Sequence, residues 1–246
     1  MVVRFITRLL AIILAYLPGP LLAQDGLYVG TFAALGSGPY AGDATSFAAR
    51  PLIGFRTTTF DIGTNGATAH VLAGDRAALD VFLKPRFFTL TNSDNPELAG
   101  IERDVTLDAG LSYALDVSRD TRLDLSVAQE ITGEHEGQEA NLRLTQRFVL
   151  GAVPLGFYAG AMWRSEDLSR YLYGVIPAEA LTGRPAFGIG ATTSPYIGVN
   201  ASMPLSQQVR VFGVLQADFL DPAITDSPIV TEDMTLSLGV GIQFSF

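Results

Sequence analysis

The chain contains no cysteine. It therefore has no disulfide, no thiol nucleophile and no thiolate metal ligand, and it fits an exported protein that folds without crosslinks. Histidine is almost as scarce, with only His70 and His135 in 246 residues. A catalytic nucleophile needs an oriented base within hydrogen-bond reach, and the spacing of these two imposes no such pairing. His135 stands between Glu134 and Glu136 and reads as part of a solvated turn. Basic charge is short as well: the formal net charge is −9, which argues against a nucleic-acid partner. The acidic residues Asp218, Asp221, Asp226, Glu232 and Asp233 gather around one connection, but not at the alternate positions of a calcium loop. Neither a metal site nor a cofactor site is expected. Apolar residues make up 48% of the chain, yet past the first stretch none form a block long enough for a transmembrane helix.

What the apolar residues form instead is alternation. In the last eleven residues Leu236, Leu238, Val240, Ile242, Phe244 and Phe246 alternate with Ser237, Gly239, Gly241, Gln243 and Ser245. A strand sends successive side chains to opposite faces, so one face here is greasy and the other small and polar. The segment has about the length of a membrane-spanning strand, roughly 9–11 residues. It ends on an aromatic residue, and Gly241 to Phe246 resembles the C-terminal signal of bacterial outer-membrane barrels. Leu236, Leu238, Val240, Ile242, Phe244 and Phe246 are expected to face the membrane, with the strand also serving as the contact for barrel assembly machinery. Similar alternation recurs over 104–117, 122–131, 140–150, 155–164, 197–202 and 209–216.

The fold expected is all-β: a closed antiparallel transmembrane β-barrel of about twelve strands, with ten as the alternative. The less regular early strands are placed near Gly26–Ala34, Pro51–Asp61, Ala67–Leu72 and Leu79–Leu90, and a ninth strand near Arg170–Ile176 completes the count. On that count Gly63–Gly66 is an inner turn, the long Thr91–Arg103 also falls inside, and the short Gly151–Val153 falls outside. Ahead of the barrel (24–246), residues 1–23 read as a signal peptide. Arg4 and Arg8 form its basic region, Leu9–Leu17 is an apolar run, and Pro18 and Pro20 end that run. An uncleaved anchor is the alternative.

The polar strand faces carry both charge signs. Asp104, Asp108 and Asp124, with Arg122, Arg143, Arg147 and Arg210, are assigned to the lumen, because charged groups in lipid need a partner or water. Paired, they fill a narrow interior; a conducting pore for small solutes is the alternative. Trp163, Tyr171, Tyr173 and Phe187 are expected in an interfacial aromatic girdle.

Two stretches carry a family resemblance. Arg170-Tyr171-Leu172-Tyr173-Gly174-Val175, followed by Gly183-Arg184-Pro185-Ala186-Phe187, resembles the "YYGV…A…SGLPAY" block of the MltA-interacting protein / OmpV family of outer-membrane proteins. Ser227-Pro228-Ile229-Val230 resembles that family's "SPIV" block, and Gly133–Gly137 its glycine-bounded turn. Arg184 stands where the family usually has Leu, and Leu172 interrupts the tyrosine pair. The resemblance implies a non-enzymatic barrel in the outer membrane. It also implies, for some members, a scaffold between a lytic transglycosylase and a penicillin-binding protein, and for others an osmoregulated or adhesive surface role.

The terminal strand yields a direct test. An Arg at Val240, if near the midplane, costs about 2–4 kcal/mol of folding free energy. A small polar residue at Gly241 costs less, as read by urea unfolding in lipid vesicles.

Overall fold

The computed structural model describes residues 25–42, 46–88, 90, 95–151 and 153–246. The expected signal peptide lies outside them. The described chain forms a closed barrel in which twelve antiparallel strands follow one another in sequence order, with β12 returning to β1. They are β1 (Gly26–Gly36), β2 (Ser46–Arg56), β3 (Phe60–Gly63), β4 (Gly66–Ala73), β5 (Ala77–Arg86), β6 (Thr106–Asp116), β7 (Thr121–Glu130), β8 (Gln138–Leu150), β9 (Val153–Arg164), β10 (Thr192–Pro204), β11 (Val209–Phe219) and β12 (Met234–Ser245).

The count of twelve holds, but two elements differ from the sequence reading. Arg170–Ile176 is not a strand. Helix α1 (Glu166–Tyr173) occupies it, with Ser165 as its cap: the Ser165 side chain accepts from the Leu168 N–H. Glu166 and Asp167 sit in the first turn, where the helix dipole favours negative charge, and Arg170 pairs with both. The missing strand comes from Pro51–Asp61, which is broken at Thr57–Thr59 into β2 and β3. There the Thr57 hydroxyl accepts from the N–H groups of Thr59 and Phe60.

These two changes repair the topology. Tyr28 pairs with Ser245, so both termini lie at one end of the barrel. At that end the connections are all short: 57–59, 74–76, 117–120, 151–152 and 205–208. The long connections 37–45, 87–105 and 165–191 all lie at the other end, with 220–233. Bacterial barrels have short periplasmic turns and long external loops, so the termini mark the periplasmic end. The 87–105 connection is therefore external, the 151–152 turn is periplasmic, and the tight 64–65 turn is external rather than internal.

The lumen is filled by aromatics laid over glycines. Tyr158 and Gly198 are direct cross-strand partners, as are Tyr196 and Gly160. A Cβ on Gly198 would stand 2.3 Å from the Tyr158 ring, and one on Gly160 2.4 Å from that of Tyr196. The same arrangement places Phe82 over Gly110, Phe212 over Gly241 and Tyr28 over Gly54. The glycines of the polar face thus make room for rings that cross the barrel. Tyr196 donates to Asn141 Oδ1 at 2.6 Å and Tyr158 to Gln216 Oε1 at 3.0 Å, so the polar tips are satisfied as well.

The strand wall is uneven at one place. β3 has only four residues and pairs with β2 only over Gly54, Phe55 and Arg56. β4 pairs with β5 only as far as Leu83. On the external half, residues 46–52 of β2 and 84–86 of β5 therefore have no strand between them among the described residues.

Filling a glycine seat tests the lumen packing. Gly198→Val is expected to cost about 1–3 kcal/mol by forcing Tyr158 out of place. The double change with Tyr158→Ala costs less than the sum of the two single ones, as measured by urea unfolding in detergent.

Candidate functional site

Among the described residues the extensive hydrophobic core lies not in the barrel but in the external loops. Buried together are Tyr40 from the β1–β2 loop, Leu98 and Ile101 from the β5–β6 loop, and Leu168, Leu172, Tyr173, Val175 and Ile189 from the β9–β10 loop. Ile224, Ile229 and Val230 join them from the β11–β12 loop. Loops that leave well-separated strands can share a core only by meeting across the mouth. Hydrogen bonds tie the same loops together: Tyr40 donates to the Leu172 carbonyl at 3.1 Å, and the Ser227 hydroxyl to the Tyr173 carbonyl at 2.6 Å.

Two buried arginines lock this cap. The Arg103 guanidinium meets both Glu179 carboxylate oxygens, at 2.6 and 3.2 Å, and lies 5.3 Å from the Tyr171 ring centroid. Arg184 donates to the carbonyls of Glu97 and Ala99 at 2.6 and 2.8 Å, holding the β5–β6 loop against the β9–β10 loop. A leucine could not make those bonds. Burial alone would raise the Glu179 carboxyl; hydrogen bonds from Arg103 and the Ile176 N–H, with the Arg103 charge, outweigh it and hold the group below the ordinary carboxylate range.

Beside the ion pair lies an open crevice of about 430 Å³, lined by Arg103, His135, Asp167, Arg170, Tyr171 and Glu179 among others. His135 is not solvated as the sequence suggests. Its ring is half-buried, 4.6 Å from that of Tyr171, and its Nδ1 accepts from the Gly137 N–H. Burial pushes its pKa down, favouring the neutral ring. Both charge signs edge the crevice, which suits it to polar recognition. Among the described residues no hydroxyl is hydrogen-bonded to His135, and His70 meets only the Asp80 carboxylate. No group of three or more His, Asp or Glu side chains among them could hold a metal ion.

The residues assigned to the lumen separate into different places. Arg122, Asp124, Arg143 and Arg147 come together near the periplasmic end. Arg122 lies 2.9 Å from Asp124, Arg143 3.5 Å from Asp124, and Arg147 2.7 Å from Asp116, beside a cavity of about 500 Å³. Asp108 lies apart from them, 2.7 Å from Arg86, which also meets Glu139. Arg210 is exposed near the periplasmic end of β11. Asp104 is not in the lumen at all. It is exposed before β6 begins, in the cap, where its N–H donates to the Tyr171 hydroxyl. The alternation that precedes Thr106 belongs to a loop. In β12, Leu236, Leu238, Val240 and Phe244 are exposed on the outward face and Ile242 is partly so; Phe246, just past the strand, is exposed. Of the residues expected in a girdle, Trp163 is exposed near the external end of β9, whereas Tyr171, Tyr173 and Phe187 belong to the cap.

A family model described as MltA-interacting protein MipA matches residues 29–246. The chain belongs to the MipA family. The MltA-interacting protein of Escherichia coli K12 is 26% identical over 176 residues, covering 71% of this chain and 71% of that protein. Outer membrane protein Omp26La of Vibrio anguillarum is 23% identical over 232 residues, covering 93% of this chain and 90% of that protein. Among solved structures the NanC porin superposes with a TM-score of 0.48 at 8% identity, covering 89% of this chain and 100% of that one. As a MipA-family barrel, this is an outer-membrane protein. The two sequence blocks that carried the family resemblance, around Tyr171–Val175 and Ser227–Val230, meet each other in the cap.

The Arg103–Glu179 pair makes the cap pH-sensitive. A carboxylate with a depressed folded pKa contributes stability above its unfolded value, near 4.5, and loses it as pH falls through the folded one. Protease resistance of loop 165–191 should hold from neutrality to about pH 5 and fall below it, with a smaller fall in Glu179→Gln. Arg103→Ala leaves the largely buried Glu179 carboxylate with only the Ile176 N–H and should cost about 1–3 kcal/mol of cap stability.

Proposed function

We propose that this protein is a non-enzymatic structural barrel that serves as an outer-membrane anchor for cell-wall machinery, with a lytic transglycosylase as its first partner. The observation that carries the structural part of this reading is the cap. A barrel whose external loops share a buried core, and whose lumen is crossed by Tyr–Asn, Tyr–Gln and Arg–carboxylate contacts, is built to be rigid rather than open. The partner is suggested by kinship with the protein named for its interaction with MltA. A penicillin-binding protein is the second partner, on the family resemblance alone.

A partner in the periplasm meets the barrel at its short turns. The β8–β9 hairpin extends beyond the neighbouring turn, since the Arg147 N–H already bonds the Asp120 carbonyl of that turn. Its tip carries Phe148, Val149 and Leu150, all exposed. This hairpin is the contact we favour. The same proposal assigns Leu236, Leu238, Val240, Ile242 and Phe244 to lipid, and β12 to recognition by barrel assembly machinery. The competing reading is a small-solute channel; the cavity of about 500 Å³ near the periplasmic end is what favours it.

Purification of the tagged chain from outer membranes, followed by mass spectrometry, tests the anchor. A lytic transglycosylase is expected with the unmodified chain, and at least tenfold less of it with Val149→Asp/Leu150→Asp. Its absence from the unmodified chain would remove the scaffold reading.

A further inference from the structure

The gap between β2 and β5 is framed in a way that strand shortening alone does not require. In β2 the Ile53 carbonyl accepts from the Thr64 N–H, so Ile53 directs its backbone groups toward β3. Backbone direction alternates along a strand, so Pro51, two residues earlier, turns its N–H-less nitrogen to the same side. On the opposite lip the Leu83 carbonyl points at β4, lying against Gly66, and Pro85 therefore turns its nitrogen toward the gap. An unpaired strand edge in lipid is costly, and proline removes a donor that would otherwise go unsatisfied. Both lips of the gap carry one.

The gap leads inward. Ala48, on the inward face of β2, is exposed. Just inside lies a cavity of about 300 Å³ lined by Leu52, Phe32, Phe212, Tyr28, Arg50 and Asn65 among others. Phe32 and Phe212 stack with centroids 6.0 Å apart and, with the buried Leu52, give the cavity one apolar wall, while Arg50, Arg56, Asn65 and Gln243 make the rest of its lining polar. Its charged residues are Arg50 and Arg56, and Arg56 is already held by Asp61 at 2.6 Å. Arg50 has no carboxylate within 4.0 Å among the described residues; its guanidinium rests 4.5 Å from the Phe87 ring centroid, across the top of the gap. Lys84, the only lysine of the chain, lies on the other lip, 4.3 Å from the Phe82 ring centroid and likewise without a carboxylate. Elsewhere inside the barrel the arginines of β5 to β9 do meet acids.

We propose that this gap is a lateral port through which a long-chain carboxylate passes from the outer leaflet into the barrel. Its chain lies against Leu52, Phe32 and Phe212, and its headgroup is held at the rim by Arg50 and Lys84. The apolar wall of the cavity, beside the gap, suits an alkyl chain, and among the described residues neither Arg50 nor Lys84 has a carboxylate within 4.0 Å, the counter-ion that the headgroup supplies. Zwitterionic lipids fit less well, because they bring their own cation to the rim.

The test uses the full chain in an uncharged maltoside detergent, with hexadecanoic acid bearing a diazirine on its chain as the probe. Photolabel is expected on residues 46–56 and 82–88. Hexadecanoate should compete at least tenfold better than hexadecan-1-ol, and Arg50→Gln/Lys84→Gln should weaken labelling by tenfold or more while keeping the heat-modifiable gel shift of the folded barrel. Label spread evenly over the outward face, or equal competition by the alcohol, would overturn the proposal. Should the double variant fail to fold, the comparison of acid with alcohol on the unmodified chain decides the matter alone.

Discussion

Every backbone N–H and C=O in the wall of this protein needs a partner within the wall, because the membrane offers none. The rest of the architecture follows from that constraint. It closes twelve strands into a ring and joins the terminal strand to the first, with Phe32 opposite Gly241 and Leu35 opposite Leu238. It fixes the alternation of side chains, because a strand paired on both edges has only two faces left. Where the ring is thin, beside the four-residue β3, a proline on each lip removes one donor that would otherwise go unpaired.

With the wall closed, the inward face has to be filled, and two devices fill it. One is geometric: rings from one strand lie in seats left by glycines on the next, so neither is replaceable without the other. The second is electrostatic, with arginines and acids on β5 to β9 pairing across short distances. The arginine side chains nearest the periplasm keep more than a third of their surface accessible, so these pairs are wet and contribute modestly. The Arg103–Glu179 pair in the cap is different, because both side chains are about nine-tenths buried and far less screened by water.

Much of this was legible in the sequence. Period-two alternation revealed the barrel class and most strands from β6 onward, since each face of such a strand meets a different medium. The first half was less clear: β2 carries Pro51 and Gly54, and β3 is too short to show a period. Tyr171 and Tyr173 were misplaced for a related reason. Aromatic residues in a membrane protein suggest a girdle, but Ser165-Glu166-Asp167-Leu168 is a helix start, and reading it as one would have moved them to the cap. The cap core itself had no signal in one dimension. It is assembled from four loops, and only contact in space shows that Tyr40 and Ile229 are neighbours. The motif blocks around Tyr173 and Ser227 gave the family before they gave a place, and the Ser227–Tyr173 hydrogen bond shows that they form one structure.

A barrel sealed by its own loops is the central claim, and conductance across a planar bilayer tests it most directly. The purified, unmodified protein is expected to show no stable single-channel openings, because the loop core lies across the mouth and the lumen charges are paired. Large, steady openings in that same protein would contradict the account and make the molecule a channel.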